Sequence, residues 1–240
     1  MDVPEPLRQP LLQADVAPLR CCLLSGGESR RMGRDKALLP HPEGGIWLER
    51  SLLLLAELGA PITLLSRHRE HLAIADQLGV ITPLAEPPPW EGPLLALHRL
   101  MQRHPNERLL LCPVDMPALT REALHTLVAA AIDPFALHPA HDGQRLQPLL
   151  GIYPSSTQIR EHLNAAIGGG ERRLQTWIAS QPCKPVLLNP QAIRNVNRPE
   201  EVQRATSSTR SCRATSPNTC QRDWLRRMEK RCRLDPGPPP

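Results

Sequence analysis

Apolar residues in this chain fall into short blocks separated by longer stretches in which they recur every three to four positions. The blocks at residues 19–24, 62–66, 79–82 and 109–112 are too short for buried helices and end at turn-forming residues, which predicts strands. Weaker blocks at 149–153 and 186–188 read the same way. The intervening spacing predicts helices over 47–58, 69–78, 94–103, 121–131, 156–166 and 172–180. Thr120 ahead of Glu122, and Ser155 beside Pro154, supply plausible caps. Strand and helix alternating in this rhythm predict an α/β fold, a mostly parallel sheet covered on both faces. Ligands of such sheets sit beyond the carboxyl ends of the strands. The segments just past Leu24 and Cys112 are therefore the places to look for chemistry.

Beyond Leu24 the chain reads Ser25-Gly26-Gly27-Glu28-Ser29-Arg30-Arg31-Met32-Gly33-Arg34-Asp35-Lys36. Bare backbone at the glycines lets successive N–H groups approach an anion, and Arg30, Arg31 and Lys36 offer compensating charge. An ordinary strand-to-helix turn with solvated charges would need neither feature at this density. The spacing fits neither a Walker loop nor a Gly-x-Gly-x-x-Gly dinucleotide turn. Beyond the 109–112 block, Pro113-Val114-Asp115-Met116-Pro117 holds a carboxylate between two prolines. Asp115 there suits a metal ion carried on phosphate oxygens, or the cap of the next helix.

Composition narrows the picture further. A chain of 240 residues has room for one sizeable α/β domain and little for a second, and aromatic residues are only 2%, so the core must be aliphatic. The net charge of +5 belongs to the end of the chain: residues 204–240 hold nine Lys/Arg against three Asp/Glu, leaving 20 against 21 in residues 1–203. A near-neutral body poor in stacking aromatics argues against a nucleic-acid binder. No apolar run is long enough to cross a bilayer and no signal peptide opens the chain, so the expected address is cytoplasmic, without a membrane partner. Seven cysteines without a Cys-x-x-Cys pair argue against a disulfide framework; Cys21, Cys22 and Cys112 read as buried thiols. The expected organisation is a loose arm at 1–17, one domain at 18–204, and a disordered basic tail at 205–240. In that tail, residues 223–233 could form a short helix, and Cys212, Cys220 and Cys232 lack metal-site spacing.

The segment Leu24–Lys36 resembles the N-terminal signature of the molybdenum cofactor guanylyltransferases, the MobA family of nucleotidyltransferases. Every defined position of Leu-x-Gly-Gly-x-Ser-x-Arg-Met-Gly-x-Asp-Lys is filled. Cys112-Pro113-Val114-Asp115-Met116-Pro117 resembles the family's metal-binding aspartate segment, and Gly92-Pro93-Leu94 its base-pocket turn. Further matches are Pro148 to Tyr153, Glu171-Arg172-Arg173, and the closing Asn195-Val196-Asn197-Arg198-Pro199-Glu200-Glu201. The resemblance spans roughly residues 20–203. It implies a single three-layer Rossmann-like nucleotidyltransferase domain. The implied reaction moves GMP from GTP to the phosphate of molybdopterin or Mo-molybdopterin, releasing pyrophosphate, with Mg²⁺ as cofactor. Other enzymes of molybdenum cofactor synthesis, or acceptor enzymes, are implied as partners.

Carried over residue by residue, the resemblance gives catalytic roles to Lys36, Arg31 and Asp115, the last also holding the metal. Leu24, Ser25, Gly26, Gly27, Lys36, Glu86, Gly92 and Asp115 would bind the nucleotide, with backbone N–H groups of Ser25, Gly26 and Gly27 on the phosphates. Asn195 and Asn197 would bind molybdopterin, although Asn197 also reads as the cap of a helix opening at Pro199. Two family positions differ. The second strand has no Asn, reading Ile62-Thr63-Leu64-Leu65-Ser66, and after the third strand only Glu86 can replace the usual guanine-reading Asp. Base choice accordingly stays open between a guanylyltransferase and a cytidylyltransferase or sugar-phosphate nucleotidyltransferase. A non-catalytic nucleotide-binding adaptor is the alternative of a different class.

Overall fold

The computed structural model describes residues 16–27, 33–41, 44–196 and 201. The expected arm up to residue 15, Arg30, Arg31, Asn197 and the tail 205–240 lie outside the described residues. Elements run β1 (Leu19–Leu24), α1 (Trp47–Ala56), β2 (Ile62–Ser66), α2 (Arg69–Gln77), β3 (Ile81–Ala85), α3 (Pro93–Arg103), β4 (Arg108–Pro113) and α4 (Arg121–Ala130). They continue with β5 (His138–His141), β6 (Leu146–Pro154), α5 (Thr157–Gly168), α6 (Leu174–Ala179) and β7 (Val186–Leu187).

The strands form a single seven-stranded sheet in the order β3-β2-β1-β4-β6-β5-β7. β1 pairs in parallel with both β2 and β4, and β2 with β3. Because side chains alternate across a strand, the apolar blocks feed two separate cores. Cys21 and Leu23 of β1, with Leu110 and Cys112 of β4, pack under α1 and α4. Cys22, Leu109 and Leu111 face the other way, under α3, α5 and α6, where Leu97, Leu100 and Trp177 are fully enclosed. This is the three-layer α/β arrangement expected.

Three local departures have physical causes. β3 runs from Ile81 to Ala85, straight through Pro83, rather than ending near Thr82. It is an edge strand, where a residue lacking an N–H costs no ladder bond on the open side. β5 is not visible in the sequence, since His138-Pro139-Ala140-His141 carries no strand signature. It pairs antiparallel with β6, which itself runs antiparallel to β4. Gly151 permits that pairing: a Cβ there would lie 2.7 Å from the Pro139 Cα. Finally, Thr120 caps α4 as expected, whereas Ser156 caps α5 and Ser155 donates its hydroxyl to the Met101 carbonyl at 3.0 Å.

His104, at the end of α3, is 5% exposed, and its Nε2 lies 3.0 Å from Thr63 Oγ1. Burial, helped by nearby Arg20, pushes its imidazole down to about 4. A group whose folded pKa lies below its unfolded value stabilises the fold above that unfolded value, and the contribution is lost as pH falls through the window between them. His71 and His138 shift the same way through burial. Acidification from pH 7 to 4.5 is therefore expected to remove on the order of 2 kcal/mol through His104 alone. Asp115 and Glu86, raised by burial, act with the opposite sign, so the clean measurement is differential. Thermal melts across this range should show a shallower acid slope for His104→Gln than for the parent, and parallel curves would contradict the assignment.

Candidate active site

Because β1 to β4 are parallel, their carboxyl ends open on one side of the sheet. There, beyond Leu24, Ser66, Ala85 and Pro113, lies a cleft of about 490 Å³. It straddles β1 and β4, where the strand order reverses, the usual ligand position in such sheets. Of the expected nucleotide contacts, Leu24, Ser25, Gly26, Gly27, Lys36, Glu86, Gly92 and Asp115 all line it.

The centre of the cleft is an ion pair. Lys36 follows the glycine loop and Asp115 follows β4, yet Lys36 Nζ stands 3.3 Å from Asp115 Oδ2 with both side chains largely covered. Burial pushes the Asp115 carboxyl above its ordinary range, while the Lys36 ammonium pulls it back. The backbone around Asp115 is tied in as well, its carbonyl accepting from Val196 N–H at 2.9 Å. Asn195 thereby sits beside the site rather than in the cleft wall; its Nδ2 donates to Gln147 Oε1 at 3.3 Å. The Asn195 Oδ1 is buried without a hydrogen-bond partner among the described residues.

One expected detail needs correcting. Ser25 contributes no amide to the cleft, because its N–H continues the β1–β2 ladder to the Leu65 carbonyl at 3.1 Å. Of the three expected amides, those of Gly26 and Gly27 are left to face a phosphate. Glycine at position 26 also leaves room for the Glu86 carboxylate: a Cβ there would lie 2.7 Å from Glu86 Oε2 and would push that carboxylate aside. Gly92, at φ +98°, turns the chain into α3 with Pro93 as its first residue, a backbone angle a side chain would strain.

Several participants carry no obvious mark in the sequence. Glu86 is fixed by Arg99 of α3, whose Nη1 donates to Oε1 at 3.0 Å while Nη2 reaches the Pro87 and Pro89 carbonyls. Burial raises the Glu86 carboxyl, with Arg99 and Arg67 opposing. Trp90 donates its indole N–H to the Glu86 carbonyl, and the Arg67 guanidinium lies 4.9 Å over its ring. On the β2 side, where the resemblance leads one to expect an Asn and the strand has none, Ser66 donates to the Ser25 carbonyl at 3.3 Å. His71 and Asp35 join the same network. Asp35 belongs to the glycine–lysine signature, and a Ser-Arg-His-x-x-His run just past a strand was the available signal for His71.

The family model of the MobA-like NTP transferase domain matches residues 21–186. A probable molybdenum cofactor guanylyltransferase from Rhodopirellula baltica is 32% identical over 202 residues, covering 80% of this chain and 93% of that protein. Among solved structures, the molybdopterin-guanine dinucleotide biosynthesis protein A of Archaeoglobus fulgidus superposes with a TM-score of 0.60 at 17% identity, covering 79% of this chain and 97% of that one. The 2-C-methyl-D-erythritol 4-phosphate cytidylyltransferase of Thermus thermophilus gives 0.55 at 13% identity, with 79% and 98% coverage, so the fold alone does not select a base. Sequence match, sheet order and the placement of the signature residues agree: the chain belongs to the MobA-like NTP transferase family.

Proposed function

We propose that this protein transfers GMP from GTP to the terminal phosphate of molybdopterin or Mo-molybdopterin, releasing pyrophosphate and forming the guanine dinucleotide form of the molybdenum cofactor. One observation carries the reading. Lys36 and Asp115, 79 residues apart in sequence, meet within 3.3 Å beside the bare backbone of Gly26 and Gly27.

In this reaction an acceptor phosphate oxygen bonds to the α-phosphorus as the bond to the bridging oxygen of pyrophosphate breaks. Negative charge accumulates on the departing group, so catalysis is positioning plus charge compensation. The Gly26 and Gly27 amides orient the β- and γ-phosphates, and the Lys36 ammonium takes up charge on the leaving pyrophosphate. Arg31 is proposed as a second cation for the same group. Glu86 is assigned to accept the N1 and N2 hydrogens of guanine and Gly92 to leave room for a planar ring; the support is that both line the cleft and that Arg99 holds Glu86 there. Asn195 and Asn197 are assigned to the molybdopterin side.

A divalent ion fits the donor set. The cleft wall offers hard carboxylate oxygens and neither thiolate nor imidazole, which suits Mg²⁺ shared with substrate phosphates rather than Zn²⁺. Asp115 would hold it, and when bound it supplies charge compensation across the phosphate oxygens.

Pyrophosphate release measured with GTP, CTP, ATP and UTP in turn, in the presence of molybdopterin and Mg²⁺, tests the reading. GTP is expected to be used at least tenfold better than the others, and Glu86→Gln to shrink that preference because one acceptor oxygen is replaced by a donor amide. Preference for CTP would transfer the protein to the cytidylyltransferases of the same fold.

A further inference from the structure

His71 of α2 is completely buried, yet it does not line the cleft. Its Nε2 lies 2.9 Å from Asp35 Oδ2. Its Nδ1 lies 3.1 Å from Ser25 Oγ, from the Ser25 carbonyl oxygen and from Ser66 Oγ. Ser25 and Asp35 are the two stems of the glycine loop, one leaving β1 and the other immediately preceding Lys36. The imidazole therefore bridges the two ends of the loop. His68, one turn earlier, repeats the pattern on the outer side, with Nε2 3.2 Å from the Gly27 carbonyl oxygen and Nδ1 4.0 Å from Asp35 Oδ2.

The chemistry of the partners assigns the ring protons. Asp35 accepts, so the neutral ring carries its hydrogen on Nε2, and burial favours that neutral form. Nδ1 is then an acceptor for the Ser25 hydroxyl, while the Ser66 hydroxyl serves the Ser25 carbonyl. The Ser25 hydroxyl and the Ser25 carbonyl then each have a partner of the opposite kind, and Nε2, off the hydrogen-bond direction, stands 2.9 Å from the Asp35 carboxylate, close enough for a direct electrostatic contact. Asp35 is anchored from its other oxygen too, Oδ1 accepting from the Ala37 N–H at 2.9 Å. The serine–imidazole–carboxylate order resembles a nucleophile relay, but Ser25 is 3% exposed and its hydroxyl is spent on the ring.

We infer that His71 is a positioning residue: it locks Ser25 to Asp35, closes the glycine loop at its base, and so fixes the Lys36 ammonium against the phosphates. The inference rests on the nucleotidyl-transfer reading of the cleft. It explains how this chain secures its loop with Ser66 at the end of β2, since Ser66 holds the Ser25 carbonyl while His71 holds the Ser25 hydroxyl. Misplacing a reacting group by about 1 Å can cost a factor of about 10² in rate, and that sets the scale of the effect.

The test uses the full chain and steady-state pyrophosphate release with GTP and molybdopterin. His71→Leu fills the buried site but cannot bridge the stems; its kcat is expected to fall 10- to 100-fold with the KM for molybdopterin within twofold. His71→Gln, which can still donate to Asp35, should recover part of that loss. Ala75→Gly, buried on the same helix and packed in the apolar core, serves as the destabilised control: a comparable drop in Tm with unchanged kcat is expected. In a Lys36→Ala background, His71→Leu should add less than twofold, because the group it positions is gone. Full kcat in His71→Leu, or a loss matched by Ala75→Gly, overturns the inference while leaving the enzyme assignment intact. Absence of turnover in the unmodified protein strikes the assignment itself.

Discussion

Replacing Asp115 by Ala is expected to lower kcat/KM by about 10²–10³, equivalent to roughly 3–4 kcal/mol of transition-state stabilisation. The size follows from position. The carboxylate stands at the end of β4, carried by a strand whose Leu109 to Leu111 are fully buried, and its own carbonyl is pinned by Val196. A carboxylate lining the cleft has little part in the apolar packing, so its removal should leave the fold in place. Asp115→Asn separates charge from shape: it keeps the volume and one oxygen but cannot hold a divalent ion as tightly. Both variants should require more Mg²⁺ for half-maximal activity, with Asn the milder if shape matters at all. Some stability should be lost, because the largely covered Lys36 ammonium is left without the Asp115 carboxylate, but the melt should stay cooperative. Near-normal turnover in Asp115→Ala, with a cooperative melt, would exclude the proposed role.

How much of this site is legible in the sequence depends on how its parts are strung along the chain. The glycine loop, Lys36 and Asp115 each sit in a contiguous segment whose residue types serve one purpose, so their chemistry shows in the sequence, and the parallel sheet brings them together. The Ser25–His71 contact spans 46 positions and the Glu86–Arg99 pair ties a loop to a helix, so neither leaves a local mark. His71 reads as one more polar residue on a weakly apolar helix until its burial is known. Strand direction is hidden for a similar reason. β6 has a run of apolar residues like those of the parallel strands, and only the hairpin through Gly143 reveals that it runs the other way. Pro83 conceals the extent of β3, because proline forbids a central strand and is harmless on an edge. The pattern of hydrophobic residues thus conveys the layers and the site's location, while the side chains that hold the site rigid become evident only from tertiary contacts.

Lys36→Ala is expected to produce a loss of similar size, about 10²–10³ in kcat, with a smaller rise in the KM for GTP. The division matters. Charge on the pyrophosphate oxygens grows as the α-phosphorus bond breaks, so an ammonium placed against them binds the transition state more tightly than bound GTP, and its loss appears in kcat. Were Lys36 a simple anchor for ground-state triphosphate, KM would carry the whole effect. Lys36→Arg is expected to restore only part of the rate, because a bulkier planar guanidinium cannot occupy the point where a compact ammonium meets Asp115 at 3.3 Å. The pair also predicts non-additivity: two groups that neutralise one another and act on one triphosphate should cost less together than the product of their separate losses. A double variant whose loss equals that product would mean the two act independently, contrary to the geometry of the cleft. Measuring kcat and KM for Lys36→Ala, Asp115→Ala and their combination under saturating Mg²⁺ decides the matter.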